Sequence, residues 1–228
     1  MGLILSIETA TKVCSVALHE DNNLLGSQEL HVDRSHSEYL AVMIKDLFSY
    51  TGKETKDLSA VAVSKGPGSY TGLRIGVSTA KGLCFGLDIP LISVNSLLAM
   101  AFEASKYNLN QYDLCPMLDA RRMEVYCLLT DYKLKLKKET HSRIIEETSF
   151  ENEFKEYPIL FFGNGMRKGR EILGKYDKAF FIEEIYPKAS NIGYLAFEKF
   201  KNEDFENTVT FEPFYLKDFI ATKPRKLL

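Results

Sequence analysis

The chain has 228 residues, 45% of them hydrophobic and 26% charged, with a formal net charge of -2. That length supports one large domain or two small ones with an ample core. The charge excludes a protein that grips nucleic acid through a broadly basic surface, and the absence of an apolar run near 18 residues excludes a helical membrane span. Small basic clusters occur at Arg121-Arg122, at Arg167-Lys168 with Arg170, and at Lys223-Pro224-Arg225-Lys226; each reads as a solvated face before it reads as an RNA groove. Met1 leads directly into strand-like sequence with no basic leader region. Cys14, Cys84, Cys115 and Cys127 are scattered through apolar runs with no C-x-x-C, the pattern of buried thiols in a reducing compartment, so a cytoplasmic location is expected.

In chain order, Leu3 to Ile7 predicts a strand ending in Glu8, followed by a polar turn at Thr9-Ala10-Thr11-Lys12 and strands over Val13 to His19 and Leu24 to Val32. Ser35-His36-Ser37-Glu38 has capping-box spacing with Ser35 as N-cap. The helix it opens places Tyr39, Leu40, Met43, Ile44, Leu47 and Phe48 on one stripe and ends at Gly52. Ala60 to Ser64 predicts a buried strand that Gly66-Pro67-Gly68 stops, and Tyr70 to Phe85 a helix. That helix holds Gly72, Gly76 and Gly82, each costing about 1 kcal/mol relative to alanine. Gly72, Gly76, Thr79, Ala80 and Leu83 share one helical face, which reads as a surface for close approach of another backbone. Pro90 to Val94 predicts a strand, and Ser96 to Ser105 a helix capped by Asn95 or Ser96.

The second half restarts the first. Leu114 to Leu118 predicts a strand ending in Asp119, then a turn at Ala120-Arg121-Arg122 and strands over Met123 to Leu129 and Lys133 to Glu139. Glu8 and Asp119 stand 111 positions apart, about half the chain, and at that offset Val13 to Leu18 overlies Glu124 to Leu129 without a gap. Ile159 to Phe162 predicts a strand, Gly163-Asn164-Gly165 a turn, and Met166 to Leu173 and Ala189 to Phe200 helices; Phe211 to Leu228 is a tail that can pack across the other half. Two duplicated lobes, residues 1–105 and 106–228, follow from this repeat. The arrangement matches the fold class of actin-like ATPases (ASKHA, ribonuclease H-like), each lobe a mixed sheet with flanking helices.

Several chemistries are weighed against these residues. The strand, glycine loop and helix at 60–85 fail both strict phosphate motifs. A P-loop begun at Gly66 or Gly68 meets Thr71-Gly72 or Leu73-Arg74 where Gly-Lys belongs, and the dinucleotide fingerprint meets Thr71 at its third glycine. Glu8 and Asp119 are candidates for metal–phosphate work, or else acids satisfied within their turns. Phosphate hairpins need glycine or very small residues near the phosphate, and neither turn contains a glycine. Gly163 and Gly165 around Asn164 can seat an adenine ring or form a strand-to-helix turn. His19, His31, His36 and His141 include no H-x-x-x-H or H-E-x-x-H pair, and Ser64 and Ser69 lack G-x-S-x-G context.

Three stretches carry a resemblance: Ile4-Leu-Ser-Ile-Glu-Thr-Ala10, Arg34-Ser-His-Ser-Glu38, and Lys65-Gly-Pro-Gly-Ser-Tyr-Thr-Gly-Leu-Arg-Ile-Gly76. Together they resemble the TsaB (YeaZ) family of the actin-like superfamily, strongly over residues 1–100. The likeness is weaker through Leu118 to Tyr126, Phe162 to Gly165 and Pro213 to Leu216. It implies a role in N6-threonylcarbamoylation of adenosine 37 in tRNAs that read codons beginning with A. The implied role is that of a non-catalytic scaffold pairing with the catalytic paralogue TsaD, joined by the ATPase TsaE, with tRNA met through the complex. It implies no cofactor in this chain; ATP or ADP and metal belong to the partner subunits. Alone, the chain is expected to form a homodimer.

The implied pairing surface is the first two helices, with Tyr39, Met43, Ile44, Leu47, Gly72, Gly76, Thr79, Ala80 and Leu83 as interface residues. On that expectation, substitution at Gly76 or Ala80 breaks pairing and spares the fold. Met123 departs from the small residue expected after the paired arginines, which counts against a ligand in the chain's own cleft. The alternative is an ATP-dependent hydrolase or transferase using Glu8 and Asp119.

Overall fold

The computed structural model describes residues 2–32 and 36–216. The N-cap expected at Ser35 and the basic cluster Lys223-Pro224-Arg225-Lys226 lie outside them, as does the tail beyond Leu216. The first half builds β1 (Leu3–Glu8), β2 (Cys14–Glu20), β3 (Asn23–Leu30), α1 (His36–Thr51), β4 (Leu58–Gly66), α2 (Tyr70–Leu87), β5 (Leu91–Asn95) and α3 (Ser96–Ser105). The second builds β6 (Asp113–Asp119), β7 (Glu124–Thr130), β8 (Leu136–Ile144), α4 (Glu151–Glu156), β9 (Ile159–Phe162), α5 (Met166–Leu173), β10 (Ala179–Ile182) and α6 (Ala189–Lys201).

Two five-stranded mixed sheets result, in the orders β3-β2-β1-β4-β5 and β10-β9-β6-β7-β8. The second is the first repeated: in each, a central strand pairs antiparallel with the next strand of its hairpin and parallel with the strand that follows the first intervening helix. This is a two-lobed actin-like architecture. Three strand and helix assignments differ from the sequence reading. β8 begins at Leu136 because Asp131 closes a wider turn, its carboxylate accepting hydrogen bonds from the backbone amides of Lys133 and Lys135. α4 and β10 carry too short an apolar pattern to be read from sequence: α4 buries only Phe154, and β10 is an edge strand.

The helices layer in a way that the order of the chain conceals. One apolar cluster lies under α1 and α2, joining Leu40, Met43, Ile44 and Leu47 to Val77, Ala80 and Cys84 above β1, β2 and β4. The opposite face of the same sheet is covered by α6 from the second half, through Ile192 and Ala196 against Ile4, Ala60, Ala62 and Ile92. α3 in turn packs Leu97, Met100 and Ala101 on Leu114, Leu118 and Phe162 of the second sheet. A division after residue 105 therefore separates the sheets but not the helices that cover them.

The chain then returns to the first half. Glu206 N donates to Leu91 O at 2.9 Å, Lys81 Nζ to Phe211 O at 3.0 Å, and Phe214 N to Lys65 O at 2.7 Å. α6 reaches its sheet at Gly193, where an added Cβ would overlap His19 Nδ1 and press on Ser6 Oγ. His19 is fully buried with an edge-on contact to Tyr194, and burial lowers its pKa to about 4.

Two outcomes follow from this seam. Gly193→Ala should cost about 1–3 kcal/mol by overpacking, read as a lower melting temperature. Between the ordinary histidine pKa and about 4 the unfolded chain binds the proton and the native state does not, so His19 makes stability fall as pH drops through that window. In His19→Gln, urea titrations across it should show a smaller acid-side loss.

Candidate functional site

The two sheets present the ends of β1, β4 and β6 to a cleft of about 1160 Å³. One wall is Lys12 and the turn Pro67 to Thr71 that opens α2; the other is the Asp119 to Arg122 turn with Asn164. Ser69 caps α2 by accepting from Gly72 N at 3.3 Å, and its own amide donates to Ala10 O at 2.6 Å, tying the β1–β2 turn to the start of the helix. Gly68, Gly72 and Gly76 make this approach possible. A Cβ on the first would overlap the Ala10 carbonyl, one on the second the Thr9 carbonyl, and one on the third Thr9 Oγ1.

Glu8 does not reach the cleft. Its side chain is wholly buried beneath that turn, and Oε1 accepts from Ala10 N at 2.6 Å and Ser64 Oγ at 2.9 Å, while Oε2 has no hydrogen-bond partner. Burial pushes its pKa up to about 7, the hydrogen bonds it receives from Ala10 and Ser64 only partly opposing. The Glu8–Asp119 pair that the alternative ATP-dependent reading requires across the cleft is therefore not assembled. Asp119 does line the cleft, but Oδ1 accepts Lys168 Nζ at 2.7 Å and Arg121 N at 2.6 Å. Lys168, on α5, is a partner that no sequence signal indicated.

Gly163 and Gly165 serve the turn between β9 and α5. Gly163 holds φ +95°, and side chains at either position would strike the β6 backbone, at Met117 O and at Leu118. Asn164 lies between them and its Oδ1 accepts Asp119 N at 3.0 Å. Gly163 and Asn164 also border a separate cavity of about 270 Å³ with His31, Arg167 and Tyr186.

The small-residue face of α2 requires correction. Gly72, Gly76 and Ala80 are buried within this chain, as are Met43, Ile44 and Leu47 of α1; Thr79 and Leu83 are half-buried. The stripe closes against the chain's own β1–β2 turn and sheet, since a sheet face this apolar must be covered before any partner arrives. Of the nine residues only Tyr39 is exposed, at 46%. The outward sides of the two helices carry other apolar groups: Val42 and Tyr50 on α1, and Phe85, 86% exposed, on α2.

The Glu8 geometry sets a pH dependence opposite to that of His19. Because its native pKa is raised, its contribution is full below the ordinary glutamate value and is lost as pH rises through about 7. The full shift corresponds to about 3 kcal/mol. Glu8→Gln should flatten that loss, so that the variant gains on the parent protein in urea stability as pH rises from about 4.5 to about 7, with no further relative change above that.

A family model described as TsaD, tRNA N6-adenosine threonylcarbamoyltransferase, matches residues 30–224. The chain is 40% identical to the tRNA threonylcarbamoyladenosine biosynthesis protein TsaB of Escherichia coli (strain K12) over 54% of its own length, spanning about half (52%) of that relative. To the protein of the same name from Bacillus subtilis (strain 168) it is 30% identical over 86% of this chain and 87% of the relative. Its fold is that of YeaZ from Pseudomonas aeruginosa, with a TM-score of 0.78, 23% identity, and coverage of 95% of this chain and 100% of the other. The chain belongs to the TsaB family, within the wider group whose family model is named for TsaD.

Proposed function

We propose that this chain acts in threonylcarbamoyladenosine synthesis as a non-catalytic scaffold subunit. It pairs with TsaD for N6-threonylcarbamoylation of adenosine 37 in tRNAs that read codons beginning with A, and the ATPase TsaE joins the pair. The observation that carries this reading is family membership across most of the chain, set beside a cleft whose two acids are committed elsewhere: Glu8 to buried hydrogen bonds and Asp119 to Lys168. A carboxylate that must stay under a packed turn is a poor metal or phosphate ligand, since reaching the cleft would expose the apolar layer above it. ATP or ADP and metal then belong to the partner subunits, tRNA is met through the complex, and the setting is cytoplasmic. Among the described residues no helix is long and apolar enough to cross a membrane.

Pairing uses the outward sides of α1 and α2. Val42, Tyr50 and Phe85 present half or more of their surface to solvent, and large exposed apolar side chains of this kind anchor interfaces. In the absence of TsaD the same surface closes on a second copy, giving a homodimer.

Two measurements test the reading. In a reconstituted assay with tRNA, threonine, bicarbonate, ATP, the adenylate-forming enzyme, TsaD and TsaE, modification should require this chain and should survive its Glu8→Gln/Asp119→Asn variant. Loss of modification in that variant, with TsaD pairing intact, would favour an ATP-dependent hydrolase or transferase acting in this chain's own cleft. Phe85→Glu or Val42→Glu should weaken TsaD binding by about 2 kcal/mol or more with an unchanged melting temperature. Unchanged binding by both would exclude this surface.

A further inference from the structure

All four cysteines are buried and free, yet one has a different neighbourhood. Cys127 on β7 faces His141 directly across the β7–β8 ladder, with Sγ 3.6 Å from Nε2. The other ring nitrogen fixes the tautomer: Nδ1 lies 2.7 Å from the Glu139 carbonyl, which can only accept, so Nδ1 carries the proton and Nε2 turns its lone pair to the thiol. On β6, Met117 pairs directly with Cys127, and Cys115 stands two residues before Met117 on the same face of the sheet, in the same buried apolar cluster as Cys127. Arg143, two residues beyond His141 on the same face of β8, lies over the Phe150 ring and pairs with Glu153 at 3.1 Å, which Lys138 also approaches at 3.6 Å. β8 is the outer strand of its sheet and His141 is only partly covered, so a molecule the size of water reaches the pair by fraying of one edge.

We propose that Cys127 is a peroxide-reactive thiol with His141 as its base, and that Cys115 resolves the oxidised sulfur to a disulfide joining β6 and β7. The oxidant is hydrogen peroxide. Cys127 gives its proton to His141 Nε2, and the thiolate attacks one peroxide oxygen. The O–O bond breaks, and the departing hydroxide takes the proton from His141 and leaves as water. The sulfur, oxidised by two electrons, is now a sulfenic acid. Cys115 attacks it, the S–O bond breaks, and hydroxide leaves with the Cys115 proton as a second water.

The surroundings favour this order of events. The neighbouring Cys115 thiol, the His141 ring and the charge of Arg143 outweigh burial and bring Cys127 down to about 6, whereas burial holds Cys115 well above the ordinary thiol value. Cys14 and Cys84 lack such partners, and burial pushes each up to about 11. They are internal controls. The proposal is independent of the role in tRNA modification.

The test uses the full folded chain at neutral pH. It is exposed to dilute hydrogen peroxide, quenched with catalase, then labelled with N-ethylmaleimide in denaturant and read cysteine by cysteine by mass spectrometry. Cys127 and Cys115 should lose labelling together, at least about tenfold faster than Cys14 and Cys84. The intact mass should fall by two hydrogens. His141→Gln should slow the loss about tenfold at an unchanged melting temperature, and in Cys115→Ala a sulfenic acid on Cys127 should persist and take up dimedone. Equal rates at all four cysteines would overturn the proposal without recourse to any variant, as would an undiminished rate in folded His141→Gln. Loss of Cys127 labelling while Cys115 stays free would overturn the resolving role.

Discussion

The close seating of α2 on the Thr9–Ala10 turn is the constraint around which the first half is built. Three glycines on the helix and its lead-in admit backbone and side-chain oxygens where any Cβ would collide, and the Ser69 amide fastens the contact by donating to Ala10 O. Interior glycines weaken a helix by about 1 kcal/mol each. Here that local cost is offset by the apolar layer the approach completes, in which Val77, Ala80 and Cys84 meet β1, β2 and β4. The same approach seals Glu8 under the turn and shapes the wall of the cleft.

The duplicated halves diverge at the matching point. Each first strand ends in an acid at the start of its hairpin turn, but the two acids meet opposite environments. Glu8 is enclosed by a helix that presses down on its turn, so burial raises its pKa and keeps it from the cleft. Asp119 stays at the cleft surface because the corresponding helix, α5, begins beyond the Gly163–Gly165 turn and offers Lys168 as a counter-ion. A shared topology thus carries two electrostatic outcomes, set by how closely one helix can approach one turn.

The layering binds the halves together. α6 belongs by sequence to the second half and by packing to the first sheet, while α3 does the reverse. Between them Lys106 donates to Asn191 Oδ1 at 2.9 Å, and Lys188 lies 3.8 Å from Glu103, so the seam is both polar and apolar. The buried, unpartnered ring nitrogens of His19 sit in this seam and make it sensitive to acid.

Periodicity and punctuation in the sequence settled most of the elements. The alternating apolar runs, the Gly66-Pro67-Gly68 stop, the cap at Asn95 or Ser96 and the repeat of hairpin and acid at 111 positions are local signals, and local signals survive without knowledge of the rest of the chain. Short edge elements such as β10 and α4 bury too few residues to leave a pattern. Direction was decided only in three dimensions. The glycine stripe of α2 shows that something approaches closely, but the sequence does not say whether it is a partner or the chain's own Thr9. The pairing of Asp119 with Lys168 and of Cys127 with His141, and the placing of Cys115 in one cluster with Cys127, join residues that no spacing rule connects. A sequence records which faces can be buried; which surface buries them, and hence which acid or thiol is desolvated or paired, depends on distances that only the folded chain sets.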